Sequence, residues 1–190
     1  MKAYEAGKIR NIALLGHGGS GKTTFCEAAL YAAGVSKRMG KVEDGNTFSD
    51  FDKEEISRKT SINTTVIPVE WNNYKVNLID TPGYFDFVGE VQGAIKAAGG
   101  VVIFVDATSG IQVGTEKAWK IAMDKKKPTF IVVNKMDREN VDYDKIINEL
   151  REAFGKKVAP FQIPIGSEEN FIGNVNVAKM TAREYTGQTC

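Results

Sequence analysis

Gly16-His17-Gly18-Gly19-Ser20-Gly21-Lys22-Thr23 is a loop suited to hold phosphate. It reads G-x-x-x-x-G-K-T, follows the apolar run Ile9 to Leu15, and leads into a helix-forming segment from Thr24. Strand, loop and helix in that order are the context the pattern needs. Gly18, Gly19 and Gly21 permit a tight turn that offers successive backbone N–H groups to an anion at a helix's positive end. Lys22 is placed to neutralise β- and γ-phosphates and to act in catalysis, and the Thr23 hydroxyl to hold Mg²⁺. Gly16, His17, Ser20 and Thr24 complete the candidate phosphate contacts.

The base is chosen elsewhere. Asn134-Lys135-Met136-Asp137 follows the strand-like run Phe130 to Val133. The Asp137 carboxylate can accept from guanine N1–H and the 2-amino group, a pair that adenine lacks. Asn134 can tie this loop to the phosphate loop, and the Lys135 stem can lie along the ring face. An unpaired carboxylate in a dry site costs a few kcal/mol, so discrimination against ATP is expected. Between the two lies Asp80-Thr81-Pro82-Gly83, ending the run Tyr74 to Ile79. Asp80 can reach Mg²⁺ through water and the Gly83 N–H can bond a γ-phosphate, with Thr81, Pro82 and Tyr84 alongside. Loss of that phosphate would free the following segment. Any one of the three motifs has a bland reading as turn chemistry. In this order they describe a domain that binds GTP or GDP.

The rest of the chain reads as α/β. Ile9–Leu15 is the first strand and Lys22–Ala33 its helix, stopped by Gly34. Thr64–Trp71 and Tyr74–Ile79 form a hairpin about Asn72-Asn73. Val88–Ala98 and Thr115–Lys127 are helical, and Val101–Val105 is a short buried strand. Pro128 opens the next strand, and Val141–Phe154 is an amphipathic helix ended by Gly155. Residues 36–62, including Asp50-Phe51-Asp52-Lys53-Glu54-Glu55, read as a solvated loop or short helix and as a switch, mobile without GTP. The expectation is a P-loop NTPase fold: a doubly wound, mostly parallel sheet with one antiparallel edge hairpin strand, flanked by helices. From Val158, Pro160, Pro164 and Gly166 break the chain into short strand-like pieces.

With 190 residues and 42% hydrophobic content the chain can bury one core. Its 25 basic and 24 acidic residues leave a net charge of +1, so no global field draws it to nucleic acid, and no sequence-specific nucleic-acid binding is expected. Cys26 and Cys190 do not suggest a disulfide framework, and a buried, reduced Cys26 is expected. No apolar run approaches the roughly 18 residues that would span a bilayer. The segment Met1-Lys2-Ala3-Tyr4-Glu5 lacks the apolar core of a secretion signal, so a cytoplasmic protein with no membrane partner is expected.

Taken together, the motifs resemble the N-terminal part of a translational GTPase of the elongation factor G family. Asp80 to Val91, D-T-P-G-Y-F-D-F-V-G-E-V, is similar to that family's D-T-P-G-H-x-D-F-x-x-E-V. Val105 to Trp119, V-D-A-T-S-G-I-Q-V-G-T-E-K-A-W, resembles its x-D-x-x-x-G-V-x-x-x-T-E-x-x-W, and Gln162 to Gly166 its Q-x-P-I-G. The resemblance implies GTP hydrolysis with Mg²⁺ and a ribosomal partner engaged mainly through domains not in this chain. It implies a GTPase domain over residues 1–157 and the start of an insertion over 158–190. The last guanine loop and last sheet strand are expected beyond this stretch, since Thr181-Ala182-Arg183 mimics that loop only weakly. A missing backbone N–H to guanine would weaken binding by about 1–2 kcal/mol.

Three departures from the family pattern stand out. Arg58-Lys59-Thr60-Ser61-Ile62 replaces R-G-I-T-I, so Ser61 takes the place of the threonine that closes over Mg²⁺. Serine keeps the hydroxyl without the stiffening β-methyl. Tyr84 stands where the family's histidine orients the attacking water. A phenol is longer than imidazole and is no base at neutral pH, so it either hydrogen-bonds a water or packs as a surface aromatic. Gly19 stands where the family has an aspartate that helps coordinate a monovalent cation. These changes point to a divergent elongation factor G-like branch. A binding switch with little turnover, a scaffold that binds nothing, and a release-factor or ribosomal-protection type of translational GTPase are the alternatives.

Overall fold

Alternation along the strands decides how the sheet is buried. In the computed structural model, which describes residues 2–185, β1 (Ile9–Gly16) turns Ala13 and Leu15 to one face and Leu14 to the other. β2 (Thr65–Trp71) and β3 (Tyr74–Asp80) form the expected antiparallel hairpin, with Trp71 opposite Tyr74. Asn72 and Asn73, at φ 46° and 64°, supply the left-handed turn that matches the strand twist. β1 pairs in parallel with β3 and with β4 (Gly100–Asp106), and β5 (Thr129–Asn134) lies beyond β4. The order is β2-β3-β1-β4-β5, a mostly parallel sheet with one antiparallel edge strand, as expected from the sequence.

Contacts divide the chain into two compact units. The first comprises Met1–Phe104 with Val113–Val132. On one face of its sheet, Leu15, Ile79 and Ile103 pack with Ile95, Ala118 and Ala122 of two helices. The helix α1 spans Lys22–Ala32, α3 Val88–Ala97 and α4 Val113–Asp124. On the other face Leu14, Leu78 and Phe104 pack with Cys26 and Leu30 of α1. Cys26 is buried and free, as expected, while Cys190 lies outside the described residues. Among the described residues no helix is long and apolar enough to cross a membrane.

Of the two readings of the charged stretch 36–62, the short helix is present, but the loops around it are anchored rather than simply solvated. The helix, α2 (Lys53–Arg58), is closed by a capping box between Asp52 and Glu55. Three carboxylates here or facing it are buried: Glu27, Asp50 and Glu55. Glu27, on α1, accepts from the Gly40 and Phe48 N–H groups at 3.0 and 2.6 Å. Glu55 accepts from Asp52, Ile62 and Asn63 N–H groups at 3.2, 3.0 and 2.9 Å. A loop without apolar periodicity thus obtains its internal partners from buried acids whose charge is shared among backbone donors.

The second unit comprises Val105–Gln112 with Val133–Cys190. Its helix α5 (Tyr143–Phe154) is capped by Asp142 through the Lys145 N–H, ends at Gly155, and buries Ile146, Ile147 and Leu150. The strand-like pieces after Val158 form an antiparallel sheet of β6 (Gln162–Ile165), β7 (Gly173–Asn176) and β8 (Thr181–Glu184). Thr181-Ala182-Arg183 therefore lies in an exposed edge strand.

Glu27→Ala should lower stability by about 2–4 kcal/mol in urea unfolding, because two buried backbone N–H groups lose their acceptor. Proteolytic cleavage of the folded variant should concentrate in residues 36–50.

Candidate functional site

Parallel pairing of β1 with β3 sets Leu14 opposite Asp80, so the loops leaving both carboxyl ends meet. The first of these enters α1 through Gly21, at φ 98°, and no side chain caps the helix. Helices α2 and α5 use aspartate caps, whereas the first N–H groups of α1 are left open to an external acceptor. Lys22 is buried and donates to the Gly16 and His17 carbonyls at 3.2 and 2.9 Å. Burial lowers its pKa to about 8, against the opposing pull of Asp80, Cys26 and Asp50. Ser20, also buried, donates to the His17 carbonyl at 2.8 Å and tightens the loop.

Thr23, Ser61 and Asp80 come together. The Thr23 hydroxyl donates to Asp80 Oδ2 at 2.8 Å and stands 3.2 Å from Ser61 Oγ. Asp80 is 1% exposed, and its Oδ1 is buried without a hydrogen-bond partner. Burial raises its pKa to about 6, although Lys22 and the Thr23 hydroxyl pull it down. Thr81 is buried and donates to the Leu14 carbonyl at 2.6 Å, tying the second loop to β1. Pro82 is buried too. Gly83 meets the phosphate loop so closely that a Cβ on it would fall 2.6 Å from Gly18 N and Cα.

A cavity of about 210 Å³ is lined by Gly18, Gly19, Gly21, Lys22, Thr23, Thr24, Ser61 and Gly83. It is also lined by Asp50, which sequence reasoning missed. Both Asp50 oxygens are buried without a hydrogen-bond partner, and burial raises its pKa. In the sequence it is one acid in a charged run, and nothing sets it apart from Asp52, which caps α2 instead.

Tyr84 and His17 lie elsewhere. Tyr84 is half exposed, and its ring is so close to Gly18 that a Cβ there would meet Cε2 at 3.1 Å. Both residues line a second, largely apolar cavity of about 220 Å³ with Pro82, Val91, Val113 and Ala118. Gly16 also borders that cavity.

In the second unit, Asn134 ends β5 and its carbonyl accepts from the Ala107 N–H at 2.9 Å. Lys135 adopts φ 62°, and its ammonium reaches Asp106 Oδ2 at 2.5 Å. Arg138 N–H closes a turn on the Lys135 carbonyl at 3.2 Å, with the exposed Asp137 inside it.

A family model for the elongation factor Tu GTP-binding domain matches residues 7–188. The chain belongs to the elongation factor Tu GTP-binding domain family. It is 38% identical over 180 residues to elongation factor G of Gluconobacter oxydans, covering 95% of this chain and 26% of that protein. An elongation factor G-like protein of Thermotoga maritima is 37% identical, with 94% and 26% covered. A crystal structure of a protein from Thermus thermophilus superposes with a TM-score of 0.89 at 39% identity, over 95% of this chain and 27% of that one. The chain therefore spans about a quarter of the length of the relatives it matches.

The donor set in this GTP-binding domain suits a small hard cation. Two hydroxyls and a carboxylate with one unpartnered buried oxygen converge, which fits Mg²⁺ and its preference for oxygen ligands and retained waters. Among the described residues no cluster of three or more His, Cys, Asp or Glu could hold a metal ion.

Asp80 holds its proton more tightly when folded, since its pKa rises from 3.8 to about 6. Its contribution to stability is therefore complete below the ordinary value and is lost as pH rises through about 6. In Mg²⁺- and nucleotide-free buffer, Asp80→Asn should gain on the parent by about 2–3 kcal/mol in urea unfolding between pH 4 and pH 7.5.

Proposed function

We propose that this chain is the Mg²⁺-dependent GTP-binding and GTP-hydrolysing domain of an elongation factor G-like translation factor. The observation that carries the reading is the meeting of Thr23, Ser61 and Asp80 beside the buried Lys22 at an uncapped helix N-terminus. The backbone N–H groups from Gly18 to Thr24 would wrap the β- and γ-phosphates. Lys22 would exchange its two loop carbonyls for phosphate oxygens, which compensate its buried charge better. The hydroxyls of Thr23 and Ser61 would hold the ion directly, with Asp80 and Asp50 accepting from its waters. Mg²⁺, when bound, supplies charge neutralisation on the transferring phosphoryl. The Gly83 N–H would bond the γ-phosphate, so cleavage releases the segment that follows. Asn134 and Lys135 would frame the base, and Asp137 would accept from the guanine edge.

Hydrolysis requires a water to attack the γ-phosphorus in line. Its oxygen forms the new P–O bond, the bond to the β-γ bridging oxygen breaks, and the water's proton passes to phosphate or solvent. Lys22 acts on the leaving charge. Tyr84 is the candidate for orienting the water. Its ring on Gly18, facing the apolar cavity, favours a second reading: a GTP/GDP switch with slow intrinsic turnover. For the whole protein we propose a cytoplasmic factor whose ribosome contacts come mainly from outside this stretch.

Calorimetric titration in Mg²⁺ buffer should show binding of GDP and GTP but not ADP; equal binding of ADP would overturn the guanine assignment. In single-turnover hydrolysis, Tyr84→His should raise the rate at least about tenfold if water orientation is limiting. An unchanged rate would show that another group limits turnover.

A further inference from the structure

The stretch Val105-Asp106-Ala107-Thr108-Ser109-Gly110 does not line the cavity beside Lys22, yet it bonds the Asn134–Asp137 loop at two points. The Asp106 side chain is 11% exposed. Its Oδ1 accepts from the Thr108 N–H and hydroxyl at 2.9 and 2.7 Å, so the carboxylate cannot rotate. Its Oδ2 faces Lys135 Nζ at 2.5 Å. Its own carbonyl accepts from Ser109 and Gly110 N–H groups at 3.2 and 2.9 Å, closing a tight turn. Ala107 N–H then reaches the Asn134 carbonyl at 2.9 Å, a second link to the same loop. Burial pulls the Asp106 pKa upward, but the bonds from Lys135 and Thr108 outweigh it and hold the carboxyl below the ordinary aspartate range.

Lys135 needs such support. A lysine at φ 62° occupies a region that side-chain-bearing residues seldom visit, so the surrounding contacts must hold it there. The same residue opens the turn that ends at Arg138 and carries Asp137 as its third member. A shift of Lys135 therefore moves the Asp137 carboxylate. We propose that Asp106 is a positioning residue for guanine recognition: clamped by Thr108, it pins Lys135 in the left-handed conformation that sets Asp137 against the guanine edge. This role rests on the guanine-binding reading given above. Asp106 itself touches no base. The ammonium of Lys135 is thereby committed to the protein, leaving its methylene stem for the ring.

The test compares GDP with IDP, whose base lacks the 2-amino group and so makes only one of the two bonds to Asp137. The parent should prefer GDP by about tenfold or more, and Asp106→Asn should lose about tenfold in GDP affinity, bringing the GDP:IDP ratio close to one. Chelation of Mg²⁺ should weaken nucleotide binding by the same factor in parent and variant, because the phosphate end is untouched. Thr108→Val, which loosens the clamp while sparing the ion pair, should move the ratio the same way by about threefold. It also decides the matter should Asp106→Asn fail to fold. A folded Asp106→Asn that keeps the parent's ratio overturns the proposal, as does equal weakening of GDP and IDP, which marks a general structural role. A parent that binds neither nucleotide overturns the underlying guanine reading, and the role of Asp106 with it.

Discussion

The hydrogen bond from Thr23 to Asp80 joins the phosphate loop to the loop that follows β3, and the arrangement of the first unit leads up to it. It exists because β1 and β3 run parallel with Leu14 opposite Asp80, which delivers two strand ends to one edge. Ligands of open α/β sheets gather at such carboxyl ends for the same reason. Both faces of the sheet are needed to hold that register. Ala13 and Leu15 are anchored on α3 and α4 while Leu14 is anchored on α1, and a slip by one residue would exchange the faces. The register in turn leaves Asp80 dry, with its carboxyl protonated more readily than usual and one oxygen unanswered. The ligand-free domain therefore carries an electrostatic cost at the point where a cation and phosphates would relieve it.

The charged stretch 36–62 follows the same logic. Its loops have little apolar surface to bury, so their order depends on where backbone N–H groups find acceptors. Glu27 reaches out from α1 to Gly40 and Phe48, and Glu55 reaches back to Ile62 and Asn63. Those two anchors bracket Asp50 and Ser61, two of the residues this stretch contributes to the cavity beside Lys22. Such loops can be ordered or released through a handful of bonds without disturbing the sheet beneath.

The strands and most helices were legible because they depend on local pattern. Ile9–Leu15, Tyr74–Ile79 and the Asn72-Asn73 turn lie within a residue of their observed limits. The start of α4 was read two residues late because Val113 and Gly114 look like loop. Gly114 is there because a Cβ would fall 2.8 Å from His17 Cα, a contact between residues almost a hundred apart in the chain. Asp50 and Asp106 were noted within longer stretches but not singled out as site residues, for a related reason. Charge in a sequence is read as solvated by default, and only the fold reveals that Asp50 is buried or that Asp106 and Lys135 are partners. The two motifs read as phosphate loops stand out in sequence because backbone N–H groups, a lysine and hydroxyls suit phosphate whatever the surroundings, and the fold brings Lys22, Thr23 and Asp80 together.

Tyr84 and Gly18 are sterically linked. The Tyr84 ring rests where a side chain on residue 18 would begin, with Cε2 and Cζ at 3.1 and 3.3 Å from that point. Gly83 leans on the same residue from the backbone side, since its own Cβ would strike Gly18 N. A larger residue at 18 would therefore press on the tyrosine ring, whereas Gly83 approaches only backbone atoms of that residue. With glycine there, the loop accommodates a bulky phenol in place of imidazole while Gly83 keeps its approach. Gly83 keeps its close approach to the loop's backbone, whereas the Tyr84 ring lies on Gly18 beside the apolar cavity. The two contacts are made by different atoms of adjacent residues, so a change in the tyrosine side chain need not disturb the glycine's approach.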